Sequence, residues 1–237
     1  MTNIIKLHDE QTSNSLAPQF NTFDVEPRPV YNYMGLDAEG KPLYEEVKTH
    51  FQMWDTTNDR PIPKCINGTK HLGTAYHELL EPLNEGLVSA NLDKGCLVKD
   101  AIYDSGAKFV RKISYPNITI EPKTRKEGDI IRFEIVFRSS LDGSWVHSLQ
   151  ILPIRLLCLN GMVGVDSNYK LIFNFKHTTG FNPSVIRDKV LIGQESFQEM
   201  KPWFESLSNA EVTTDDVKSL LKQTLFKKQA QKDAELK

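Results

Sequence analysis

The chain has 237 residues and a formal net charge of −2 at pH 7, with 39% hydrophobic and 25% charged residues. This length and composition fit one large globular domain, or one domain with an appendage, and exclude a disordered chain. A net charge so near zero excludes the strongly basic class of nucleic-acid-binding protein, so any anion-binding surface has to come from the local distribution of charge.

The charges are distributed unevenly along the chain. Residues 1–60 contain 5 lysines and arginines against 10 aspartates and glutamates, whereas residues 61–190 contain 17 against 13. The middle of the chain is therefore mildly basic, and the acidic excess lies almost entirely at the front.

Hydropathy and cysteine usage indicate the compartment. No apolar run approaches the roughly 18 residues that a membrane span needs, and the N-terminus lacks the apolar segment of a secretory signal. Cys65, Cys96 and Cys158 are odd in number and far apart in the sequence, which argues against a disulfide framework. We therefore expect a cytoplasmic protein that makes no contact with a membrane.

In chain order, the sequence predicts three regions. Residues 1–30 are polar, acidic and contain three prolines, which indicates a flexible arm. Residues 31–205 form the predicted α+β core domain, and residues 206–237 a C-terminal helix and tail. Within the core, residues 31–70 carry large aromatic side chains among Gly, Pro and Asp, and we expect them to pack over the domain as loops and short strands.

A helix and a hairpin follow. From Gly73 to Leu87, apolar residues recur at intervals of three and four, which places them on one helix face, although Pro82 is expected to bend or split that helix. Cys96–Tyr103 and Lys108–Tyr115 are short runs rich in β-branched and aromatic residues around a Gly-containing loop, a pattern typical of a hairpin.

The clearest strand signal lies at residues 130–138. Four apolar residues alternate there with mostly charged ones, which predicts a strand with one buried face and one face that is solvated or bound to something. Asp142-Gly143 is a strong turn signal, and Trp145–Ile151 is the predicted antiparallel return strand. These segments predict a β-meander of three or four strands that follows a helix, and Tyr169–Phe175 is predicted as a further strand.

Two helices are predicted at the C-terminal end. Asn182 and Pro183 are typical of a helix start, and the apolar pattern continues toward Phe204. A last helix is predicted from Val217 to Gln229. The fold class is therefore α+β: a helix and an antiparallel β-meander, followed by C-terminal helices.

Catalytic and cofactor motifs are scarce in the sequence. It contains no phosphate-binding glycine loop, no Cys-x-x-Cys and no His-Glu-x-x-His, which argues against an ATPase and against a zinc site. His71 and His77 are six residues apart, so we interpret them as surface or capping residues. Cys158 could form a nucleophile pair with His147 or His177, but its apolar neighbours favour a buried structural thiol. We therefore expect no enzyme activity and no cofactor.

Basic residues interleaved with aromatics are the remaining signal. Arg111, Arg132 and Arg138 on the solvated face of a strand pair could follow a phosphate backbone. Stacking surfaces could come from Tyr103, Phe109, Tyr115 or Trp145. The alternative, which composition alone favours, is that these are ordinary solvated charges paired with carboxylates such as Glu121, Glu127, Asp129 and Glu134.

Three short motifs carry a resemblance to a family. Ser140-Leu141-Asp142-Gly143-Ser144, Arg155-Leu156-Leu157-Cys158-Leu159-Asn160-Gly161 and His177-Thr178 resemble a family of uncharacterised phage- and plasmid-encoded proteins, over roughly residues 70–205. Members carry a Ser-His-Asp-Gly-Ser-like turn, an Arg-Leu-Val-Cys-x-Asn-Gly box and an Arg-His-Thr element. In this chain Leu141 replaces the His of the turn, which weakens a catalytic interpretation, and Lys176 replaces the Arg, which keeps the charge.

More distantly, the helix, the meander and the Asp-Gly-Ser turn resemble the single-strand annealing recombinases of phage and eukaryotes. That resemblance implies binding and annealing of single-stranded DNA in phage or plasmid recombination or replication, without ATP, by a ring- or filament-forming homo-oligomer. Further partners would be a single-strand binding protein or a nuclease, and the compartment would be the host cytoplasm. The predicted nucleic-acid-binding residues are Lys108, Arg111, Lys112, Arg132, Arg138, Arg155 and Lys176.

Two other functions remain open. One is a non-enzymatic phage host-takeover or anti-defence protein that binds a host protein. The other is a metal-free hydrolase or transferase that uses Cys158 and His177.

Overall fold

Two antiparallel sheets and two long helices make up the described part of the chain. The computed structural model describes residues 15–18, 22–71, 73–120, 130–156, 163–165, 170–178, 180–209 and 213–219. Mixed α+β architecture is confirmed. Within these ranges, no helix is both long and apolar enough to cross a membrane. The cysteine box around Cys158 and the charged segment 121–129 lie outside the described residues.

The first sheet contains three long strands. β1 (Val25–Leu36), β2 (Pro42–Asp55) and β3 (Arg60–Gly68) pair in the order β1-β2-β3, all antiparallel. β1 begins inside the predicted arm, and its prolines are tolerated because an edge strand can lack a ladder donor. The expectation of short strands that pack over the domain was wrong for the outer part of this sheet, where Tyr31, Tyr33 and Tyr44 are 55%, 60% and 63% exposed.

The predicted first helix is confirmed as α1 (Tyr76–Ser89). Its residues at three- and four-residue spacing, Leu79, Leu80, Leu83 and Leu87, are buried. The helix continues through Pro82 instead of splitting there.

The second sheet is the predicted meander. It contains β4 (Leu97–Tyr103), β5 (Lys108–Ile120), β6 (Ile131–Ser140), β7 (His147–Leu156) and β8 (Val163–Val165) in sequence order, and β9 (Leu171–Phe175) also pairs with β7. The β6–β7 turn places Gly143 at a φ of +69°, a conformation that glycine adopts without strain. The turn predicted at Asp142-Gly143 is therefore present.

Helices cover one face of this second sheet. The ring centroids of Tyr76 on α1 and Phe109 on β5 are 5.1 Å apart, and those of Phe133 on β6 and Phe197 on α2 (Val185–Asn209) are 4.4 Å apart. Gly86 lets the two helices approach closely, since a Cβ there would lie 3.0 Å from Val190 Cβ. The opposite face carries most of the charged residues of β5 and β6, whereas its β7 positions include the buried apolar residues Leu152 and Ile154.

The C-terminal helices are present, but their ends differ from the predicted ones. α2 begins at Val185, three residues after Asn182, whose side-chain oxygen accepts a hydrogen bond from the Ser184 amide. Of the last predicted helix, residues 214–219 are described as helical. The backbone N–H of Thr213 donates to Asp216, and the backbone N–H of Asp216 donates to the Thr213 hydroxyl.

Candidate nucleic-acid interface

The side of the second sheet away from α1 and α2 carries a cluster of cations. Residues on this side of β5 and β6 alternate with the buried ones, and the register aligns Lys99 of β4 with Lys112 of β5, and Val110 of β5 with Arg138 of β6. We call this surface the basic face and define it by the residues Lys99, Tyr103, Lys108, Lys112, Arg132 and Arg138.

Two positions mark the ends of the basic face along β6. Arg132 is exposed, and Arg138 is half-buried, with Val110 and Ser148 opposite it on the neighbouring strands. Six residues of strand separate them by about 20 Å. The Nε atom of Arg138 is buried and has no hydrogen-bond partner among the described residues. The face thus presents guanidinium groups over a length that several nucleotides would cover.

Lys112 is partly neutralised by a carboxylate on the same face. Its Nζ lies 2.8 Å from Glu134 Oε2, and Ser114 donates a 3.1 Å hydrogen bond to the other carboxylate oxygen. The Glu134 side chain is 9% exposed, whereas that of Lys112 is 44% exposed. The alternative of ordinary charge pairing is therefore correct for this residue, although the ammonium group still reaches solvent.

Lys108 lies beside two carboxylates and an aromatic ring. Its Nζ is 2.7 Å from Asp104 Oδ2, 3.7 Å from Asp142 Oδ2 and 5.5 Å from the centre of the Trp145 ring. The hydrogen bond to Asp104 raises the pKa of Lys108. Burial acts to raise the pKa of Asp142, but hydrogen bonds from Ser144 and Ser140 and the charge of Lys108 outweigh it and lower that pKa.

Arg111 does not lie on the basic face, so the expectation that its side chain is solvated was wrong. It is 0% exposed and forms two 2.8 Å bonds to the carboxylate of Asp100, its register partner on β4. Its Nη1 also donates to the Leu16 carbonyl and to Asn84 Oδ1, at 2.9 and 3.2 Å. A guanidinium that is buried and bonded in this way cannot reach a phosphate.

The remaining predicted contacts lie at the edges of the site. Arg155 on β7 pairs with the buried residue Ile131 and not with Arg132, which belongs to the basic face. The side chain of Arg155 lies outside the described residues. Lys176 is exposed and directly follows β9. The structure therefore brings Lys108, Lys112, Arg132 and Arg138 onto one face and does not place Arg155 or Lys176 among them.

Two of the four candidate stacking residues are accessible. Phe109 and Tyr115 are 0% and 1% exposed and belong to the core. Tyr103 is 40% exposed, and its ring lies edge-on to Trp145 at a centroid distance of 6.2 Å. These two rings and Lys108 form an aromatic and cationic corner at the end of the basic face.

A histidine cluster beside the β6–β7 turn was missed by sequence reasoning. The rings of His71 and His177 stack at 4.8 Å, those of His147 and His177 lie 3.7 Å apart, and Ser139 Oγ is 2.9 Å from His147 Nδ1. His71, interpreted as a surface or capping residue, instead stacks inside this cluster. No signal could have found it, because His147 is 76 residues from His71 and 30 from His177.

His71 and His147 are held in the neutral form at neutral pH. Burial, followed by the proximity of His177 and His71, lowers the pKa of His147 to about 3. Burial also lowers the pKa of His71. The rings of His71 and His177 are nearly parallel, so their in-plane nitrogen lone pairs do not point at a common position. In the described ranges, no group of three His, Cys, Asp or Glu side chains could hold a metal ion. Ser139 and His147 are both 0% exposed, so a substrate could not reach them.

Most of the basic face lies in a stretch of the sequence that matches a known domain family. The model of a domain of unknown function, DUF932, matches residues 108–237, which is more than half of the chain. The chain belongs to the DUF932 family. The DUF932 segment begins at the first residue of β5, so it includes the arginines of β6, the β6–β7 turn and α2, and it excludes β1–β3, α1 and β4. No curated protein and no solved structure is significantly similar to the chain.

Proposed function

We propose that this protein binds single-stranded DNA on the basic face and anneals complementary strands without ATP, in phage or plasmid recombination or replication. The observation that carries the proposal is the clustering of Lys99, Lys108, Lys112, Arg132 and Arg138 on the one face of the sheet that the helices leave uncovered.

Recognition would combine charge with stacking. Phosphates would lie along the row from Arg132 to Arg138, where each neutralised phosphate releases counterions. A base would stack on Tyr103 or Trp145 in the aromatic corner, since every base has an aromatic face and such stacking tolerates any sequence. A face that binds backbone and base planes leaves the Watson–Crick edges accessible to a complementary strand.

The fold and the absence of a phosphate-binding loop in the sequence support this proposal. A helix packed on an antiparallel meander is the arrangement that the resemblance to annealing recombinases implies, and ATP-independent annealing needs no nucleotide site. In this role the protein would assemble as a ring- or filament-forming homo-oligomer in the host cytoplasm. A single-strand binding protein or a nuclease would be its natural further partner.

A matched pair of variants tests the proposed site. Arg132→Gln/Arg138→Gln removes two cations from the basic face, and Arg187→Gln removes one exposed cation from α2, on the covered side of the sheet. We expect the double variant to bind a labelled thymidine oligonucleotide 10- to 100-fold more weakly, as a rough estimate from two lost phosphate contacts, and Arg187→Gln to bind like wild type. Equal affinities for the three proteins would contradict the assignment.

The alternative class, a protein that binds a host protein, has one observation in its favour. Tyr31, Tyr33 and Tyr44 are more than half exposed on a projecting hairpin, and exposed aromatic clusters are typical of protein interfaces. A variant of these tyrosines that loses a biological effect while it keeps DNA affinity would favour this alternative.

A further inference from the structure

The outer half of the β1–β2 hairpin is not covered by any other part of the chain that the structure describes. We call residues 30–50 the ribbon. Apart from a few half-buried positions, its side chains are exposed on both sides. The large apolar residues exposed on it are Tyr31, Tyr33, Met34, Leu36, Leu43 and Tyr44.

The ribbon is nevertheless a well-formed structure. Its turn is closed by Asp37, whose Oδ1 accepts hydrogen bonds of 2.8 Å from the amides of Glu39 and Lys41. Tyr33 and Tyr44 are cross-strand partners with ring centroids 6.0 Å apart. An isolated two-stranded ribbon is only marginally stable in water. The regular structure of this ribbon is therefore what we expect of a surface that a partner covers when the protein acts.

One side of the ribbon exposes an apolar area that forms part of an interface. Tyr31, Tyr33 and Tyr44 share that side and together expose on the order of 400 Å², about half of the roughly 800 Å² that each partner buries in a standard interface. Soluble monomers seldom expose contiguous apolar patches larger than a few hundred Å².

The charge of the ribbon complements the basic face. The ribbon carries Asp37, Glu39, Glu45 and Glu46 against two lysines. Glu46 lies opposite Tyr31, so an acidic group accompanies the tyrosines. On the basic face, cations surround Tyr103 and half-buried valines, which provides pairing for carboxylates and for aromatic rings.

We propose that the ribbon of one copy of this chain docks on the basic face of a second copy, and that single-stranded DNA competes with it for that face. The contact is head-to-tail, because two different surfaces meet, and it therefore generates rings or filaments of the DNA-free protein, which are distinct from the homo-oligomer proposed to act on DNA. The competition rests on the proposed function, whereas the contact between copies does not.

Sedimentation velocity of the full chain without DNA tests the contact. We expect the mass of the wild type to rise with concentration and to fall between about 50 and 200 mM salt, since the contact is partly electrostatic. Tyr33→Ser/Tyr44→Ser should remain monomeric, and so should Glu45→Lys/Glu46→Lys, which keeps the tyrosine pair. A wild type that stays monomeric, or ribbon variants that associate like wild type, would overturn the proposal.

Mixing two variants tests the head-to-tail arrangement. The face variant Lys112→Gln/Arg132→Glu keeps its ribbon, and Tyr33→Ser/Tyr44→Ser keeps its basic face. Each should be monomeric alone, and an equimolar mixture should form a dimer that cannot extend, because only one productive contact remains. A face variant that associates like wild type, or a mixture that stays monomeric, would overturn the arrangement; circular dichroism confirms that each variant is folded.

A short thymidine oligonucleotide tests the competition. We expect it to dissociate wild-type assemblies and to bind Tyr33→Ser/Tyr44→Ser several-fold more tightly, since no ribbon has to be displaced. Binding without dissociation would overturn the competition. Absence of any binding would overturn the proposed function and leave the contact between copies, measured without DNA, in place.

Discussion

Arg111 and Asp100 show how strongly a single buried pair can constrain this sheet. Removal of one partner leaves an uncompensated buried charge, so Arg111→Met should lower the free energy of unfolding by about 3–5 kcal/mol in urea denaturation. Arg111→Met/Asp100→Leu should recover part of that loss. Lys41→Met, which breaks the exposed pair with Glu39, should change stability by less than about 1 kcal/mol. Equal effects of Arg111→Met and Lys41→Met would contradict the burial of the Arg111 pair.

His147 should make stability depend on pH. Its pKa is lowered to about 3 in the folded protein, below the value of 6.5 for an ordinary histidine, so the unfolded chain binds a proton that the folded chain excludes. The resulting stabilisation is present above pH 6.5 and is lost as the pH falls toward 3, by about 2 kcal/mol between pH 7 and pH 5. His147→Phe should lose less stability than wild type over that range in denaturant titrations. Parallel pH profiles of the two proteins would contradict this account.

Among elements, the contact between α1 and α2 depends on Gly86. A Cβ at that position would lie 3.0 Å from both the Arg187 carbonyl oxygen and Val190 Cβ, so Gly86→Ala has to push the helices apart. We expect a loss of about 1–3 kcal/mol even though alanine favours a helix. Glu85→Ala, on the exposed side of α1, should be neutral within about 0.5 kcal/mol in the same thermal or urea unfolding measurement. A stabilising Gly86→Ala would contradict the close packing of these helices.

Elements whose pattern is local could be predicted from the sequence, and those that depend on distant partners could not. The alternation in β6 and the spacing in α1 are each confirmed because one period repeats over several turns or pleats. Arg111 shares the parity of Phe109 and Ile113, which is a usable signal for burial, but only the register reveals Asp100 opposite it. The histidine cluster forms through contacts between residues far apart in the sequence, and the ribbon is exposed because no other described element packs on it. Neither feature follows from a local sequence pattern.

At the scale of the whole molecule, we propose that one face of a sheet neutralises DNA phosphates while the net charge of the chain stays near zero. The acidity of the first 60 residues conceals this face from a charge count over the whole chain, although residues 61–190 alone are mildly basic. Strand pairing concentrates Lys99, Lys108, Lys112, Arg132 and Arg138 on one side and moves Arg111 to the other. Strand pairing thus gathers the cations of a region that is only mildly basic in composition onto one face.

The salt dependence of binding to a long thymidine oligonucleotide, followed by fluorescence anisotropy, tests this claim most directly. With about five phosphates contacted, log affinity should fall linearly with log salt at a slope of about −3.5, which weakens binding by about two orders of magnitude between 50 and 200 mM salt. Arg132→Gln/Arg138→Gln should reduce that slope by about 1.4. No binding at low salt, or an affinity that does not change with salt, would contradict the account.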